Sequence, residues 1–141
     1  MARRRVQLLL LSIVSALFVS LGIIYTGLLS GCSQSQLYIG SQGYNMPGHI
    51  SYQYHTFTGS ETCRFEAESG QRLTLNYDIG IGKGSLMIEV ENPIGNEIWE
   101  MLLNEDTKDT VELVLEEEGR YAIEIRGDNA GGYYDIRWCL H

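Results

Sequence analysis

The stretch RLTLNYDI, residues 72–79, decides the fold class. It places Leu73, Leu75, Tyr77 and Ile79 on one side of an extended chain and polar residues on the other. Successive side chains of a β-strand point to opposite faces of a sheet. Strict alternation over eight residues therefore predicts a strand with one face in a core and one face in solvent.

The same period of two recurs along the chain from residue 49 onward. The candidate strands are ISYQYHTFT, TCRFEAE, RLTLNYDI, SLMIEVE, EIWEMLL, TVELVLE, RYAIEIR and GYYDIRW. Turn-rich segments such as ESGQ, NPIGN and EEEGR separate them, with the spacing that is typical of sandwiches and barrels. The pattern predicts an all-β fold, a single antiparallel, jelly-roll-like β-sandwich of eight strands over residues 49–141.

The first 31 residues differ in kind from this body. Arg3, Arg4 and Arg5 are followed by an uncharged apolar run over residues 6–29. Without these arginines the chain has seven basic residues against 18 acidic ones, a net charge of −11. A surface that acidic repels phosphate, so the composition argues against nucleic acid as a partner.

The apolar run ends at Leu29-Ser30-Gly31-Cys32, which resembles the lipobox of bacterial lipoproteins. The resemblance implies diacylglycerol transfer to the Cys32 thiol and signal cleavage between Gly31 and Cys32. The run is also long enough to remain as an uncleaved membrane-spanning helix. Both alternatives place the body outside the cytoplasm on a bacterial cell membrane, or on the outer membrane where the cell has one.

These features divide the chain into three segments. Residues 1–31 are expected to form an apolar signal or anchor helix. Residues 32–48 are polar, rich in Gly, Ser and Gln, and without a clear period, which predicts a flexible tether. Residues 49–141 form the predicted sandwich.

Two cysteines remain once Cys32 is assigned to lipid. Two thiols in an oxidising compartment predict one disulfide, Cys63–Cys139. Strand parity opposes this pairing, because Cys63 shares a face with core residues whereas Cys139 has the opposite parity to Trp138. The pair forms only if a β-bulge shifts the parity, and both alternatives stay open.

Turn glycines and core positions carry a second family resemblance. They are Ser69-Gly70-Gln71, Asn92-Pro93-Ile94-Gly95-Asn96, Glu118-Gly119-Arg120-Tyr121 and Gly132 with Tyr134. With the apolar positions around them they resemble the bacterial pre-peptidase C-terminal domain, a small β-sandwich. That family implies a non-catalytic accessory module whose relatives bind calcium, collagen or carbohydrate. The aspartates common after the GIGKG turn are absent here, so calcium is a weak expectation and no metal site or other cofactor is predicted.

The aromatic residues give the best hint of function. Tyr52 and Tyr54 share one face of the first candidate strand and Tyr133 has outward parity, so these three are the candidate ligand platform.

No histidine lies in a catalytic motif, so we predict no enzyme. The sequence predicts a lipid-anchored, surface-exposed, non-catalytic binding or adhesion module for an extracellular polysaccharide or protein. The alternative is a docking subunit of an envelope or secretion complex, with an aliphatic patch within residues 98–103.

Overall fold

The computed structural model describes residues 32–141. The predicted signal or anchor helix and the cleavage residue Gly31 lie outside this range. The described chain forms seven strands. They are β1 (Cys32–Ile39), β2 (Gln42–Met46), β3 (His49–Ala67), β4 (Arg72–Glu91), β5 (Glu97–Leu103), β6 (Thr107–Val114) and β7 (Gly119–Leu140). Residues 32–141 contain no helix with the length and apolar character needed to cross a bilayer.

Three long strands, β3, β7 and β4, run side by side and each contributes to two sheets. The front sheet contains β2, residues 49–54 of β3, the second half of β7, the first half of β4, and β6, in that order. The back sheet contains β1, the rest of β3, the first half of β7, the second half of β4, and β5. All of these pairings are antiparallel.

Register shifts mark where the long strands bend from one sheet to the other. In β3 they lie between Tyr54 and Gly59, and in β4 between Ile81 and Ser85. A bulge bends a strand locally, so a pair of sheets can share strands at such points. Gly84 has a φ of +66°, and a Cβ there would lie 2.4 Å from two carbonyl oxygens of β7, so the bend requires glycine.

The core lies between the two sheets. Leu73, Leu75 and Ile123 are fully buried, as their strand parity predicts. Aromatic rings connect the layers: the ring centroids of Tyr77 and Trp99, from opposite sheets, lie 6.1 Å apart. The predicted antiparallel, all-β sandwich is therefore confirmed.

The number of strands differs from the sequence prediction. Six of the eight candidate strands merge pairwise into β3, β4 and β7, because the bends between them keep the backbone extended. The glycine-rich segment GIGKG was expected to end a strand, but it lies inside β4. Two further strands, β1 and β2, come from the segment that precedes residue 49.

The prediction of a flexible tether over residues 32–48 is wrong. β1 pairs with β3 from Cys32 to Ile39, and β2 pairs with β3 from Gln42 to Met46. Hydropathy missed both because they are edge strands whose side chains mostly face solvent. Backbone hydrogen bonds and a few inward side chains, Tyr38 above all, attach them to the core.

The predicted disulfide Cys63–Cys139 is also wrong. Cys63 is bonded to Cys32, which lies directly opposite it on β1 with the two Cα atoms 4.0 Å apart. Cys139 is an exposed free thiol on β7, in the front sheet opposite Thr74. The buried Cys63 belongs to the back sheet, so neither parity nor position allows it to reach Cys139.

Candidate functional site

A groove with a volume of about 1010 Å³ lies on the outer surface of the front sheet. Its floor is built from the outward residues of all five strands of that sheet. The pairing register aligns Tyr44, Ser51, Asp135, Asp78 and Lys108 in one row across the sheet. The row carries two carboxylates, an ammonium group and an aromatic ring on neighbouring strands.

Tyr133 is the exposed aromatic residue near the centre of the groove, with 43% of its surface accessible. Its hydroxyl donates a hydrogen bond to Asp78 Oδ1 at 3.0 Å. Its ring fills the space beside Gly80, because a Cβ at that position would lie 2.3 Å from a ring atom. A hydrogen bond at one end and close contact with bare backbone therefore fix the orientation of this ring.

Asp78 connects the ring to β6. The Lys108 ammonium group donates to Asp78 Oδ2 across the β4–β6 pair. The hydrogen bonds from Lys108 and Tyr133 hold the pKa of Asp78 below its ordinary value, because both donors favour the ionised form. Asp78 is thus a carboxylate at neutral pH.

Asp135 is the second carboxylate of the row. Its Oδ2 lies 3.0 Å from His49 Nε2, and its Oδ1 forms an ion pair with Arg137, 3.1 Å from Nε. Burial raises the pKa of Asp135, but the hydrogen bond and charge of His49 and the charge of Arg137 outweigh it, so the net shift is downward. Tyr44 completes this end of the groove, with its ring edge-on to His49 at 5.0 Å.

Of the predicted platform of Tyr52, Tyr54 and Tyr133, only Tyr133 presents its ring on the outer face, although the half-buried Tyr52 also borders the groove. Tyr54 is 3% exposed and Tyr52 stacks on Tyr38 between the sheets, with ring centroids 5.2 Å apart. Both belong to the inward face of β3 because they share parity with the buried Ile50. Tyr133 is placed on the outer face, as its parity predicted.

Sequence reasoning missed the polar residues that surround Tyr133. Tyr44 was assigned to the tether, so it was not considered as a strand residue. Asp78 and Asp135 occupy the outward, polar positions of strands whose alternation predicts only an apolar inward face. One sequence signal could have indicated them. Two strands of this sheet carry charged or amide groups at consecutive outward positions, Asn76 and Asp78 on β4 and Asp135 and Arg137 on β7.

The polar clusters of the groove do not form a recognised catalytic or metal site. His49 contacts Tyr44, Asp135 and Arg137, none of which is the Ser or Cys of a nucleophilic triad. In the part of the chain that the structure describes, no three His, Cys, Asp or Glu side chains are grouped to hold a metal ion.

The strand predicted to carry an aliphatic docking patch is β5. Its outward face exposes Ile98 and Leu102, with the charged Glu100 between them. Leu103 is buried and Trp99 packs against the core. A charge therefore interrupts the apolar surface, which does not form the continuous patch typical of a docking face.

Comparison with known proteins gives a fold and no family. No protein-family model matches the chain, and no curated protein matches it. Among solved structures, the carbohydrate-binding module TmCBM61 in complex with β-1,4-galactotriose has a TM-score of 0.51 at 18% identity, over 83% of this chain and 92% of that one. This chain is a β-sandwich of similar fold. The resemblance to the pre-peptidase C-terminal domain stays a prediction.

Other similar structures are more distant. A periplasmic inhibitor of g-type lysozyme from Aeromonas hydrophila has a TM-score of 0.45 at 16% identity, over 76% of this chain and 93% of that one. A carbohydrate-binding module of Cellvibrio mixtus lichenase 5A, solved with cellotriose, has a TM-score of 0.42 at 16% identity, over 77% and 95%. These likenesses are too weak to support an argument about function.

Proposed function

We propose that this protein is a non-catalytic binding module for a neutral polysaccharide, and that the groove on the front sheet is its binding site. The observation that carries the proposal is Tyr133, an exposed ring that is held in place in a groove by Asp78 and Gly80. The similar fold of a module solved with β-1,4-galactotriose supports the same class of ligand.

The groove offers the groups that a sugar chain requires. Sugar rings have apolar faces, which stack on aromatic side chains, and hydroxyl groups, which both donate and accept hydrogen bonds. Tyr133 supplies an apolar surface, Asp78 and Asp135 supply acceptors, and Lys108 and Arg137 supply donors. Ligand sites typically combine such surfaces with a few fixed polar groups.

A second exposed ring lies on the far side of the groove. Tyr44 is 45% exposed and belongs to β2, whereas Tyr133 belongs to β7, with β3 between them. Two inter-strand spacings of about 4.8 Å each put the two strands roughly 10 Å apart. An extended chain of several sugar units could therefore contact both rings.

Charge favours a neutral ligand. The cationic side chains of the groove, Lys108 and Arg137, are already paired with Asp78 and Asp135, so neither is left over for an anionic sugar. The excess of acidic residues on the body repels a polyanion over longer distances. We expect polysaccharides rich in uronic acid or sulfate to bind poorly.

We further propose that the module works outside the cytoplasm. The Cys32–Cys63 disulfide supports this location, because such bonds persist in oxidising compartments. The lipobox prediction agrees on the location but competes for the same atom, since one Cys32 sulfur cannot carry both a diacylglyceryl group and a disulfide. Fatty-acid labelling and alkylation of Cys63 distinguish the two states.

The proposal is tested by retention of the purified protein on insoluble polysaccharides. The panel contains neutral glucans, galactans and mannans, together with polymers of uronic acids. We expect retention on at least one neutral polymer and weaker retention on the acidic ones. Tyr133→Ala should weaken binding by about tenfold, which corresponds to ~1.4 kcal/mol and is in the range of one aromatic contact.

Leu102→Ala is the matched control, since Leu102 is exposed on the back sheet and far from the groove. It should bind like the wild type. Equal retention of the Tyr133→Ala variant and the wild type would show that the groove is not the site. Retention on none of the polymers would refute the proposed function itself.

A further inference from the structure

β2 is the edge strand that bounds one side of the groove, here called its wall, yet all of its residues are exposed. It pairs on one side only, with residues 49–53 of β3. Its outward residues Gln42 and Tyr44 line the groove. Its inward residues are Gly43, which lies against the ring of Tyr52, and Asn45. β2 therefore buries no apolar side chain that would fix it to the core.

Asn45 instead reaches a carboxylate inside the molecule. Its Nδ2 donates to Glu61 Oε1 at 3.0 Å. Glu61 is 0% exposed and lies on the inward face of β3 in the back sheet, where it shares parity with Cys63. The contact therefore joins an exposed wall of the front sheet to the buried side of the back sheet.

Glu61 is itself fixed by tyrosines from two other strands. Its Oε2 accepts from Tyr134 at 2.8 Å and from Tyr38 at 3.1 Å, and the two hydroxyls lie 2.6 Å apart. Tyr134 is fully buried on the central strand β7, and Tyr38 stacks on Phe57 with centroids 4.6 Å apart. The carboxylate has little freedom to move, because rings packed in the core determine where its oxygens lie.

A buried carboxylate is costly unless hydrogen bonds satisfy it. Hydrogen bonds from Tyr134, Tyr38 and Asn45 satisfy both of its oxygens, which makes Glu61 a fixed acceptor for a polar strand. An apolar residue at this position would pack with the core but could not hold Asn45. The chemistry of Glu61 thus matches the needs of β2, a strand without apolar inward side chains.

We propose that Glu61 is a positioning residue of the groove: through Asn45 it holds β2, and with it Tyr44, at the distance from Tyr133 that the ligand requires. Glu61 lies on the opposite side of the front sheet from the groove, so it does not contact ligand. This role rests on the proposed function of the groove, but the position of β2 can be measured without any ligand.

The test compares amide hydrogen exchange and polysaccharide retention in the purified protein. Asn45→Ala removes the donor from an exposed strand and should leave the fold intact. We expect exchange in residues 42–46 to become about tenfold faster, while the central strands β4 and β7 keep their protection. Retention on the neutral polymer should weaken by a similar factor. Met46→Ala is the control, because Met46 is exposed on the same strand and faces outward.

A second variant keeps a hydrogen-bond acceptor at position 61 and replaces the carboxylate with an amide. Glu61→Gln keeps an oxygen for Asn45 and nearly the same volume, so exchange in β2 should stay close to that of the wild type. Unchanged exchange in Asn45→Ala would overturn the inference. Faster exchange in β2 of Asn45→Ala, with polysaccharide retention equal to that of the wild type, would overturn it equally. The position of β2 would then not matter for binding. If the wild type binds no polysaccharide, the proposed function fails, and exchange in β2 alone decides whether Glu61 positions that strand.

Discussion

The Tyr133 hydroxyl donates to Asp78 Oδ1 at 3.0 Å, across the pair formed by β7 and β4. This bond fixes the outer end of an exposed aromatic ring that lines the groove. Gly80, two residues after Asp78, leaves room for the same ring. The strand that supplies the acceptor thus also supplies the space, and the orientation of the ring depends on both.

The space at Gly80 gives the first prediction. Gly80→Ala should displace the Tyr133 ring, because the new methyl group would lie 2.3 Å from a ring atom. We expect polysaccharide affinity to fall by about tenfold, nearly as far as in Tyr133→Ala. Gly82→Ala is the control, since its Cβ would meet only a carbonyl oxygen at 3.3 Å. Equal affinities of the two alanine variants would contradict the role of Gly80.

The second prediction concerns pH. The pKa of Asp78 is lowered mainly by the hydrogen bond from Lys108. A carboxyl group whose folded pKa is depressed stabilises the fold above its unfolded pKa, about 3.9, and this contribution is lost as the pH falls through the folded pKa. The arrangement of the groove should therefore persist at mildly acidic pH and be lost only below the ordinary aspartate range.

An NMR titration of the Asp78 carboxyl carbon measures this effect. Lys108→Met should raise the pKa of Asp78 toward the ordinary value, because the main donor is removed. Lys83→Met should leave it unchanged, since Lys83 donates to Thr56 instead. A titration of Asp78 that does not respond to Lys108→Met would show that the ion pair is not maintained in solution.

The third prediction is the connectivity of the cysteines. Digestion of the alkylated, non-reduced protein should yield a peptide pair that joins Cys32 to Cys63, with the alkyl label on Cys139. The bond closes a loop with a sequence separation of 31, which the chain-entropy estimate values at roughly 3–4 kcal/mol. Reductant should therefore lower the unfolding midpoint, and Cys139→Ser should not. A linked Cys63–Cys139 peptide would refute the structure at this position.

The fourth prediction separates lipid from disulfide at Cys32. If the lipobox interpretation holds in the cell, Cys32→Ser should abolish labelling with a radioactive fatty acid and leave a longer, unprocessed chain. Cys63 should then be open to alkylation after denaturation of the wild-type protein without reductant. If the label is absent and Cys63 resists alkylation, Cys32 forms the disulfide and the lipobox interpretation is wrong.

Much of the fold could be predicted from alternation alone. The apolar positions of RLTLNYDI and of RYAIEIR, residues 120–126, are buried as their period requires, because one face of a strand must pack against another layer. The outward position of Tyr133 followed from the same rule. Alternation could not predict that candidate strands merge, since a bulge with glycines keeps the chain extended while it changes sheets.

The site was predicted less completely than the fold. Its floor is a set of outward residues from five strands, and only the pairing register tells which of them are neighbours. Asp78 and Lys108 are 30 residues apart in the chain and bonded in the fold. The burial of Glu61 against Tyr134 is likewise a consequence of which strands lie opposite each other.

The sequence by itself determined the class of architecture, the inward residues of most strands and the acidic character of the body. These are local properties, because they depend on the period of the chain and on the sum of its charges. Only the tertiary structure decided that polar residues 32–46 join the sheets, that Cys63 pairs with Cys32, and that Tyr44, Asp78 and Asp135 share a groove. Such relations depend on strand order and register, which arise from the packing of two layers and are not encoded in any short stretch.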